Sequence, residues 1–192
     1  MEKKRAETIL READALIDGH FILTSGRHSN MYMQCAKIFQ YPKFAEELAQ
    51  DIAICHSGKG IEAVIGPATG GIILAYEVAR LLSVKNLFAE REEGKMVLRR
   101  GFNLHQGAKV LVVEDVITTG GTVQEVIDLT RDLGAQPVAV AVIVDRSFGA
   151  VSFSVPYTAI YESGLVSWSP DECPLCKEGK IPAVKPGSRG KK

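Results

Sequence analysis

Residues 110–122 constrain the fold of this chain more than any other stretch. Residues 110–113 are a run of aliphatic side chains, which is typical of a strand buried on both faces of a parallel sheet. Two acids follow, Glu114 and Asp115, and a loop of small and hydroxyl-bearing residues then leads into a helical pattern over 123–133. A strand, a polar loop and a helix in this order are a building unit of α/β folds.

The loop after the two acids has the composition of a phosphate site. A phosphate bound there would meet free backbone N–H groups at a helix N-terminus and the positive end of the helix dipole. The loop lacks the Lys of a P-loop and the glycine pattern of a dinucleotide fold. Acids before a phosphate cradle suit a sugar phosphate, although an ordinary junction with an N-cap Thr and solvated acids is the alternative. The loop consists of Val116, Ile117, Thr118, Thr119, Gly120, Gly121 and Thr122.

Length and charge exclude several classes of protein. The 192 residues suit one domain, 1–192, with a substantial core. Lys plus Arg and Asp plus Glu both number 23, so we expect neither nucleic acid nor a membrane surface as a partner. The charged N-terminus has no apolar segment after it and no apolar run could span a bilayer, so we expect a cytoplasmic protein. Four cysteines, unevenly spaced, are expected to be reduced.

Hydrophobic periodicity predicts alternating strands and helices through the middle of the chain. Helices are expected over 6–17 with Gly19 closing the first, from Pro42 to about Cys55, and over 72–82. Strands are expected over 63–65, 86–89, 138–144 and, weakly, 159–161, with a separate hairpin of strands 20–23 and 31–35. This order predicts an α/β fold with a central, mostly parallel sheet and helices on both faces. A small N-terminal hood, mainly 18–40, would cap a core of about 41–165, followed by a C-terminal segment, 166–192.

Three further segments could contact an anionic ligand. The loop 66–71, with Thr69 and Gly70, joins a strand to a helix, so it is either a second anion site or a tight turn without a ligand. Residues 90–101 are charged, with glycines near both ends, and are either a mobile lid or a solvated surface hairpin.

Arg146 follows the buried strand 138–144, at the sheet edge where ligands bind in open α/β folds. Its planar guanidinium could form two hydrogen bonds to a planar carboxylate. The alternative is a surface pair between Asp145 and Arg146. His105 lies beyond the charged segment 90–101 and is expected on the surface.

The order of two acids and a Thr/Gly turn resembles the phosphoribosyl-pyrophosphate (PRPP) signature of type I phosphoribosyltransferases. The segment Leu-Thr-Ser-Gly-Arg-His-Ser at 23–29 is similar to the hood of orotate phosphoribosyltransferases. The resemblance implies that Ser25, Gly26, Tyr32 and Met33 cover the base and that Arg146 binds its carboxylate. Two cations of the family pattern are absent, because Thr24 stands where a Lys is usual and Thr69-Gly70 replaces a Tyr-Lys pair.

The same resemblance implies a reaction. Orotate and PRPP would give orotidine 5′-phosphate and pyrophosphate, in de novo pyrimidine biosynthesis, with Mg²⁺ as cofactor. Glu114 and Asp115 would hold the ribose hydroxyls, the loop 66–71, often with a cis peptide, would bind pyrophosphate, and Arg91 and Lys95 of a basic lid would reach the neighbouring site of a homodimer. Two alternatives remain open: transfer to another base such as a purine, or a PRPP-sensing regulator of the same fold.

Cys173 and Cys176 form a Cys-x-x-Cys pair, which is half of a structural zinc site. Neither Cys35 nor Cys55 belongs to a second pair, so zinc would need His ligands or a partner chain. We therefore expect no metal and interpret the segment as a surface knuckle or dimer edge. The Gly-, Ser- and Lys-rich tail 185–192 is expected to be disordered.

Overall fold

The computed structural model describes residues 1–186, which form nine strands and five α-helices. The strands are β1 (Leu16–Ile22), β2 (His28–Met33), β3 (Ala63–Pro67), β4 (Lys85–Glu92), β5 (Lys95–Leu98), β6 (Lys109–Ile117), β7 (Gln136–Asp145), β8 (Tyr157–Glu162) and β9 (Ser167–Trp168). The helices are α1 (Lys3–Glu12), α2 (Pro42–His56), α3 (Gly70–Leu82), α4 (Gly121–Asp132) and α5 (Pro174–Glu178), with a 3₁₀ helix at Cys35–Gln40. None of the helices in residues 1–186 is both long and apolar enough to cross a membrane.

Six strands form the central sheet, in the order β5-β4-β3-β6-β7-β8. All neighbours are parallel except β5, which runs antiparallel to β4. The central strands β3, β6 and β7 are buried along nearly their whole length, as their aliphatic runs predict. The carboxyl ends of β3, β6 and β7 therefore meet at one edge of the sheet.

Helices cover both faces of this sheet, and each face has its own apolar core. One core joins α1, α2 and α3 to the side chains of Val64, Leu111 and Ile143. The other joins α4 to the alternate side chains of the same strands, including Ile65 and Val112. The predicted α/β architecture with helices on both faces is confirmed.

The hood is a separate antiparallel sheet in the order β1-β2-β9. The boundaries expected for it were partly wrong. Helix α1 ends at Glu12 because Asp14 adopts a left-handed backbone conformation, with φ 51°, and the Ala15 N–H closes the turn onto the Leu10 carbonyl at 2.8 Å. The apolar residues at 16 and 17 therefore begin β1, and Gly19 lies inside that strand. Strand β2 likewise starts earlier than expected, and the 3₁₀ helix begins at Cys35.

The C-terminal segment returns to the hood. Val184 forms a bridge with Phe21, and its carbonyl accepts the Ile22 N–H at 2.8 Å. Cys173, expected on the surface, is fully buried, whereas Cys176 is exposed. The expected tail begins at Lys185; its residues 187–192 lie outside the described part of the chain.

Candidate active site

Glu114 and Asp115 lie near the carboxyl end of β6, which continues to Ile117. The strand was expected to end before these acids, but the pairing of β6 with β7 extends to Ile117 opposite Asp145. Both carboxylates are largely buried, with 8% and 9% of the residue exposed. Within residues 1–186 neither forms an ion pair with a basic side chain. Two adjacent buried acids without a cation form an incomplete site that suits a ligand rich in O–H donors or a bound cation.

The environment of the two acids favours their neutral forms. Burial, with the neighbouring Asp115 charge as a second cause, raises the pKa of Glu114 to about 9. Burial also raises the pKa of Asp115. The only hydrogen bond that Glu114 accepts from the backbone comes from the Asp115 N–H, at 3.2 Å, within the described residues. The pair therefore retains a proton at neutral pH until a ligand supplies hydrogen-bond donors or positive charge.

The loop 66–71 packs directly against these acids. A Cβ atom at Gly70 would lie 2.5 Å from the Asp115 carboxyl group, and one at Gly71 would lie 3.2 Å from Glu114 Oε1. The peptide between Ala68 and Thr69 is cis, in the loop where the resemblance implies such a bond. The backbone of the loop 66–71 therefore contacts both acids, and a side chain at position 70 would displace the Asp115 carboxyl group.

The loop after β6 surrounds a small cavity of about 70 Å³. Helix α4 begins without a side-chain cap, because its N-cap is Gly120 in a left-handed conformation with φ 74°. The first-turn N–H groups of α4 have no acceptor within the helix, so they are available to an anion. The cavity is lined by Glu114, Val116, Ile117, Thr118, Thr119, Gly120, Gly121, Thr122 and Val123.

A second cavity, of about 520 Å³, lies beneath the hood. Its volume is in the range of small-molecule sites. Four of the predicted base-site residues line it together: Ser25, Tyr32, Met33 and Arg146. Gly26 does not line the cavity; it occupies the β1–β2 turn with φ 79°. The remaining lining residues are Ile22, Leu23, Thr24, Gln34, Leu165, Lys185 and Pro186.

Sequence reasoning missed Gln34, Leu165 and Lys185 in this cavity. Lys185 was assigned to a disordered tail, yet the bridge at Val184 brings it to the cavity wall. One feature of the sequence could have indicated Lys185. Thr24 stands where the family usually has a Lys in the hood, so a cation from another segment could take that place.

Arg146 faces this cavity and does not pair with its neighbour. No Asp145–Arg146 ion pair forms within the described residues. Asp145 is buried, which favours its neutral form, but hydrogen bonds from Ser147, including the backbone N–H at 2.6 Å, lower its pKa overall. The Arg146 N–H donates to the Ile117 carbonyl at 2.9 Å. This bond ties the guanidinium-bearing residue to the end of the strand that carries the acids.

The predicted lid is a β-hairpin for most of its length. Residues of β4 and β5 pair antiparallel across the turn at Glu93 and Gly94, so the loop expected over 90–101 is largely strand. Arg91 donates to Glu125 of α4 at 2.7 Å and to the Gly94 carbonyl. Neither Arg91 nor Lys95 lines either of the two cavities. In one chain, the hairpin therefore does not bring these two cations to the acids.

Comparison with known proteins assigns the family. Residues 35–152, more than half of the chain, match the family model of the phosphoribosyl transferase domain. The orotate phosphoribosyltransferase of Caldanaerobacter subterraneus subsp. tengcongensis is 54% identical over 189 residues, which cover 98% of this chain and 99% of the relative. The chain belongs to the orotate phosphoribosyltransferase family. The orotate phosphoribosyltransferase of Thermotoga maritima is 52% identical over 184 residues, covering 96% of this chain and 98% of the relative.

Solved structures agree with this family assignment. The crystal structure of orotate phosphoribosyltransferase from Aeropyrum pernix has a TM-score of 0.67 and 27% identity, and the match covers 82% of this chain and 92% of that one. An adenine phosphoribosyltransferase from Thermoanaerobacter pseudethanolicus, at 14% identity and a TM-score of 0.59, shares the fold alone; that match covers 69% of this chain and 88% of that one. The type I phosphoribosyltransferase fold expected from the sequence is confirmed.

Proposed function

We propose that the two cavities and the loop 66–71 form one active site, which transfers the phosphoribosyl group of PRPP to orotate. The products are orotidine 5′-phosphate and pyrophosphate, in pyrimidine nucleotide biosynthesis. One observation carries the proposal: Arg146, at the wall of the hood cavity, is hydrogen-bonded to the last residue of the strand that bears Glu114 and Asp115. A base site and a ribose-phosphate site therefore meet at one edge of the sheet, as transfer between their ligands requires.

The ribose 5-phosphate half is assigned to the acids and the loop that follows them. Glu114 and Asp115 have no basic side chain as a partner within residues 1–186, and Glu114 accepts a single backbone N–H. The vicinal 2′ and 3′ hydroxyls of ribose would supply further donors. The 5′-phosphate fits the small cavity at the N-terminus of α4, with the Thr118, Thr119 and Thr122 hydroxyls nearby. The two carboxylates would then stand beside the anomeric carbon, where positive charge develops as pyrophosphate leaves.

The base half is assigned to the hood cavity. Orotate is a flat ring with one carboxylate, and Arg146 offers a matching planar pair of N–H donors. Tyr32 and Met33 offer an aromatic ring and a thioether as flat contacts. Lys185 is a second cation on the cavity wall, and we assign to it the role of the hood cation that Thr24 lacks.

Mg²⁺ is the cofactor that this site suits. Two buried carboxylates without a cationic partner are hard oxygen donors, which Mg²⁺ prefers, together with substrate phosphates and water. When bound, Mg²⁺ would be held on the protein side by Glu114 and Asp115 and would offset the charge on the leaving group. Thr69 and Gly70 of the loop 66–71 contribute backbone groups and a hydroxyl for pyrophosphate, in place of the basic residue that the family usually has there.

The cations of the lid are assigned to the active site of a second copy in a homodimer. Lys95 lies outside both cavities of its own chain. Helix α3, which begins at the pyrophosphate loop, exposes Ile73 and Tyr76 one turn apart, at 43% and 57%. Exposed apolar neighbours on a helix suit a subunit contact. Closure of Arg91 and Lys95 over the neighbouring site would exclude water and stabilise pyrophosphate as it leaves.

A heterodimer of two defective chains tests whether the lid acts on the neighbouring site. One chain carries Asp115→Asn and the other Lys95→Ala, and two different tags allow the mixed dimer to be purified. If the lid acts across the interface, one of the two sites is intact and activity is about half that of the wild type. A dimer of Asp115→Asn with Glu114→Gln is the matched control, because both defects lie in acids of their own chain. Equal, low activity in the two heterodimers would place the lid on the site of its own chain. The Lys95→Ala homodimer must itself be defective, because a lid without a role would also leave one site of the mixed dimer intact.

The test of the proposed function is a pyrophosphate-release assay with PRPP and Mg²⁺. Pyrophosphate release should require orotate, and the product should be orotidine 5′-phosphate by mass spectrometry. Adenine, hypoxanthine, xanthine and uracil are the control bases and should support less than about one hundredth of the orotate rate, because they lack the carboxylate that Arg146 would bind. Turnover of a purine but not of orotate would refute the base assignment and leave the PRPP site standing.

A further inference from the structure

Four potential metal ligands converge beneath the hood, outside the active site. His20 lies on β1, His28 on β2, and Cys173 and Cys176 flank the start of α5. Their ligand atoms all lie within 4.8 Å of one another. Three of the four residues are buried, and only Cys176 is exposed. The fold therefore supplies the two histidines that a Cys-x-x-Cys pair needs to become a Cys₂His₂ site.

The distances suit a tetrahedral ion. Cys176 Sγ lies 3.3 Å from His28 Nδ1 and 3.6 Å from His20 Nε2, and Cys173 Sγ lies 3.4 Å from His20 Nε2. Ligands of a tetrahedral Zn²⁺, with Zn–N near 2.0 Å and Zn–S near 2.3 Å, are about 3.5 Å apart for an N–S pair. The His20 Nε2 to His28 Nδ1 distance is 2.9 Å, so binding would open this pair by a few tenths of an ångström.

Hydrogen bonding within the cluster does not account for this convergence. His20 Nδ1 lies 2.9 Å from the Ile181 carbonyl, which can only accept a hydrogen bond. Nδ1 therefore carries a proton, which leaves Nε2 as the ring nitrogen that can coordinate a metal through its lone pair. That lone pair faces three groups, the two sulfurs and His28 Nδ1, but one lone pair can accept only one strong hydrogen bond. A carbonyl that orients a histidine through its other nitrogen is a common second-sphere feature of metal sites.

We propose that His20, His28, Cys173 and Cys176 bind one Zn²⁺. Two thiolates cancel the charge of Zn²⁺ and the two neutral imidazoles add none, so the occupied site has no net charge, which suits its burial. All four positions are filled by protein, so the ion is structural. No metal was expected there because the sequence has no second cysteine pair. The two missing ligands are instead histidines from two strands of the hood, eight residues apart.

The ion would crosslink the C-terminal segment, through Cys173 and Cys176, to the hood strands that carry His20 and His28. The Val184 N–H donates to the His20 carbonyl at 2.9 Å, so the segment already wraps around this ligand. The same segment continues to Lys185 at the wall of the base cavity. Binding of zinc would thus hold one side of that cavity in place, a consequence that rests on the proposed function, whereas the metal site does not.

Metal analysis of the untagged full chain tests the site. The protein is purified without chelators, and zinc is measured by plasma mass spectrometry and by release to a colorimetric chelator after the thiols are blocked with a mercurial. We expect about one zinc per chain. Reconstitution with Co²⁺ should give the visible absorption and thiolate-to-metal charge-transfer band of a tetrahedral sulfur–nitrogen site. Fewer than about 0.1 equivalents after reconstitution with Zn²⁺ would overturn the proposal.

Variants locate the ion and separate its loss from misfolding. Cys176→Ser and His28→Gln should lose at least about nine tenths of the bound zinc, and Cys55→Ser and His105→Gln, an exposed cysteine and an exposed histidine elsewhere, should keep it. Removing zinc from the wild type should lower Tm by about 5 °C or more, and zinc should restore it. Full zinc in Cys176→Ser and His28→Gln would refute this ligand set, whatever the activity.

Discussion

Asp115→Asn is expected to lower kcat/KM for PRPP by about 10²- to 10³-fold, the usual effect of removing one group that stabilises transition-state charge. The substitution keeps the size of the side chain but removes the negative charge that we propose to lie beside the anomeric carbon. It also replaces one carboxylate oxygen with an NH₂ group, which donates and cannot accept a ribose hydroxyl. Initial rates of pyrophosphate release at varied PRPP and saturating orotate measure the loss.

The control for this variant is Asp128→Asn. Asp128 lies on α4, near the same loop in sequence, but its carboxylate is exposed and contacts Gln124 and Arg131. Its removal should change kcat/KM by less than about twofold, since exposed ion pairs contribute little. Equal rates for Asp115→Asn and the wild type would exclude this acid from the chemistry.

The pH dependence of the free energy of unfolding tests the raised pKa of the acid pair without any measurement of activity. The pKa of Glu114 is raised in the folded protein, to about 9 from 4.5, so folding is favoured when this group is protonated. That contribution is fully present below the unfolded pKa and is lost as the pH rises through the folded pKa. The ligand-free wild type should therefore become less stable between pH 5 and pH 9. Asp115→Asn should reduce this decline, because it removes the neighbouring charge; thermal unfolding at several pH values measures it.

The core of the fold could be predicted because its strands are chemically distinctive. The aliphatic runs at 110–113 and 138–144 can be satisfied only by burial on both faces, and the helices between them show a clear apolar stripe. The end of α1 could not be predicted, since the apolar pattern continues past the left-handed residue Asp14. The hairpin within 90–101 was expected only as the alternative to a mobile loop, because an edge strand tolerates charges and its sequence resembles that of a loop.

Local composition made half of the site predictable. The Thr/Gly loop and its acids are contiguous in sequence, so their composition alone indicated an anion site. Two contacts instead involve the C-terminal segment, which packs against the hood. They are the position of Lys185 at the cavity wall and the contact between His20 and Cys173, which lie 153 residues apart in the sequence. Such contacts arise from tertiary packing and leave no periodic or local signal. Site residues from distant segments therefore had to come from the structure.

Arg146→Ala should lower kcat/KM for orotate by about 10²- to 10³-fold, as expected when one partner of a buried, hydrogen-bonded charge pair is removed. KM for PRPP should change little, because the proposed ribose and phosphate contacts lie in the other cavity. Arg146→Lys should recover only part of the loss, since a single ammonium cannot form the two-pronged contact of a guanidinium.

The comparison of orotate with uracil isolates the carboxylate contact. Uracil is orotate without its carboxylate, so the wild type should prefer orotate strongly and Arg146→Ala should lose most of that preference. Arg131→Ala is the control, since Arg131 is an exposed arginine that contacts Asp128 and Ser154 on the outer surface of the protein. A merely structural role for Arg146 would lower the rates with both bases equally and leave their ratio unchanged. An unchanged ratio would therefore assign recognition of the carboxylate to another cation, of which Lys185 is the one that shares the cavity wall.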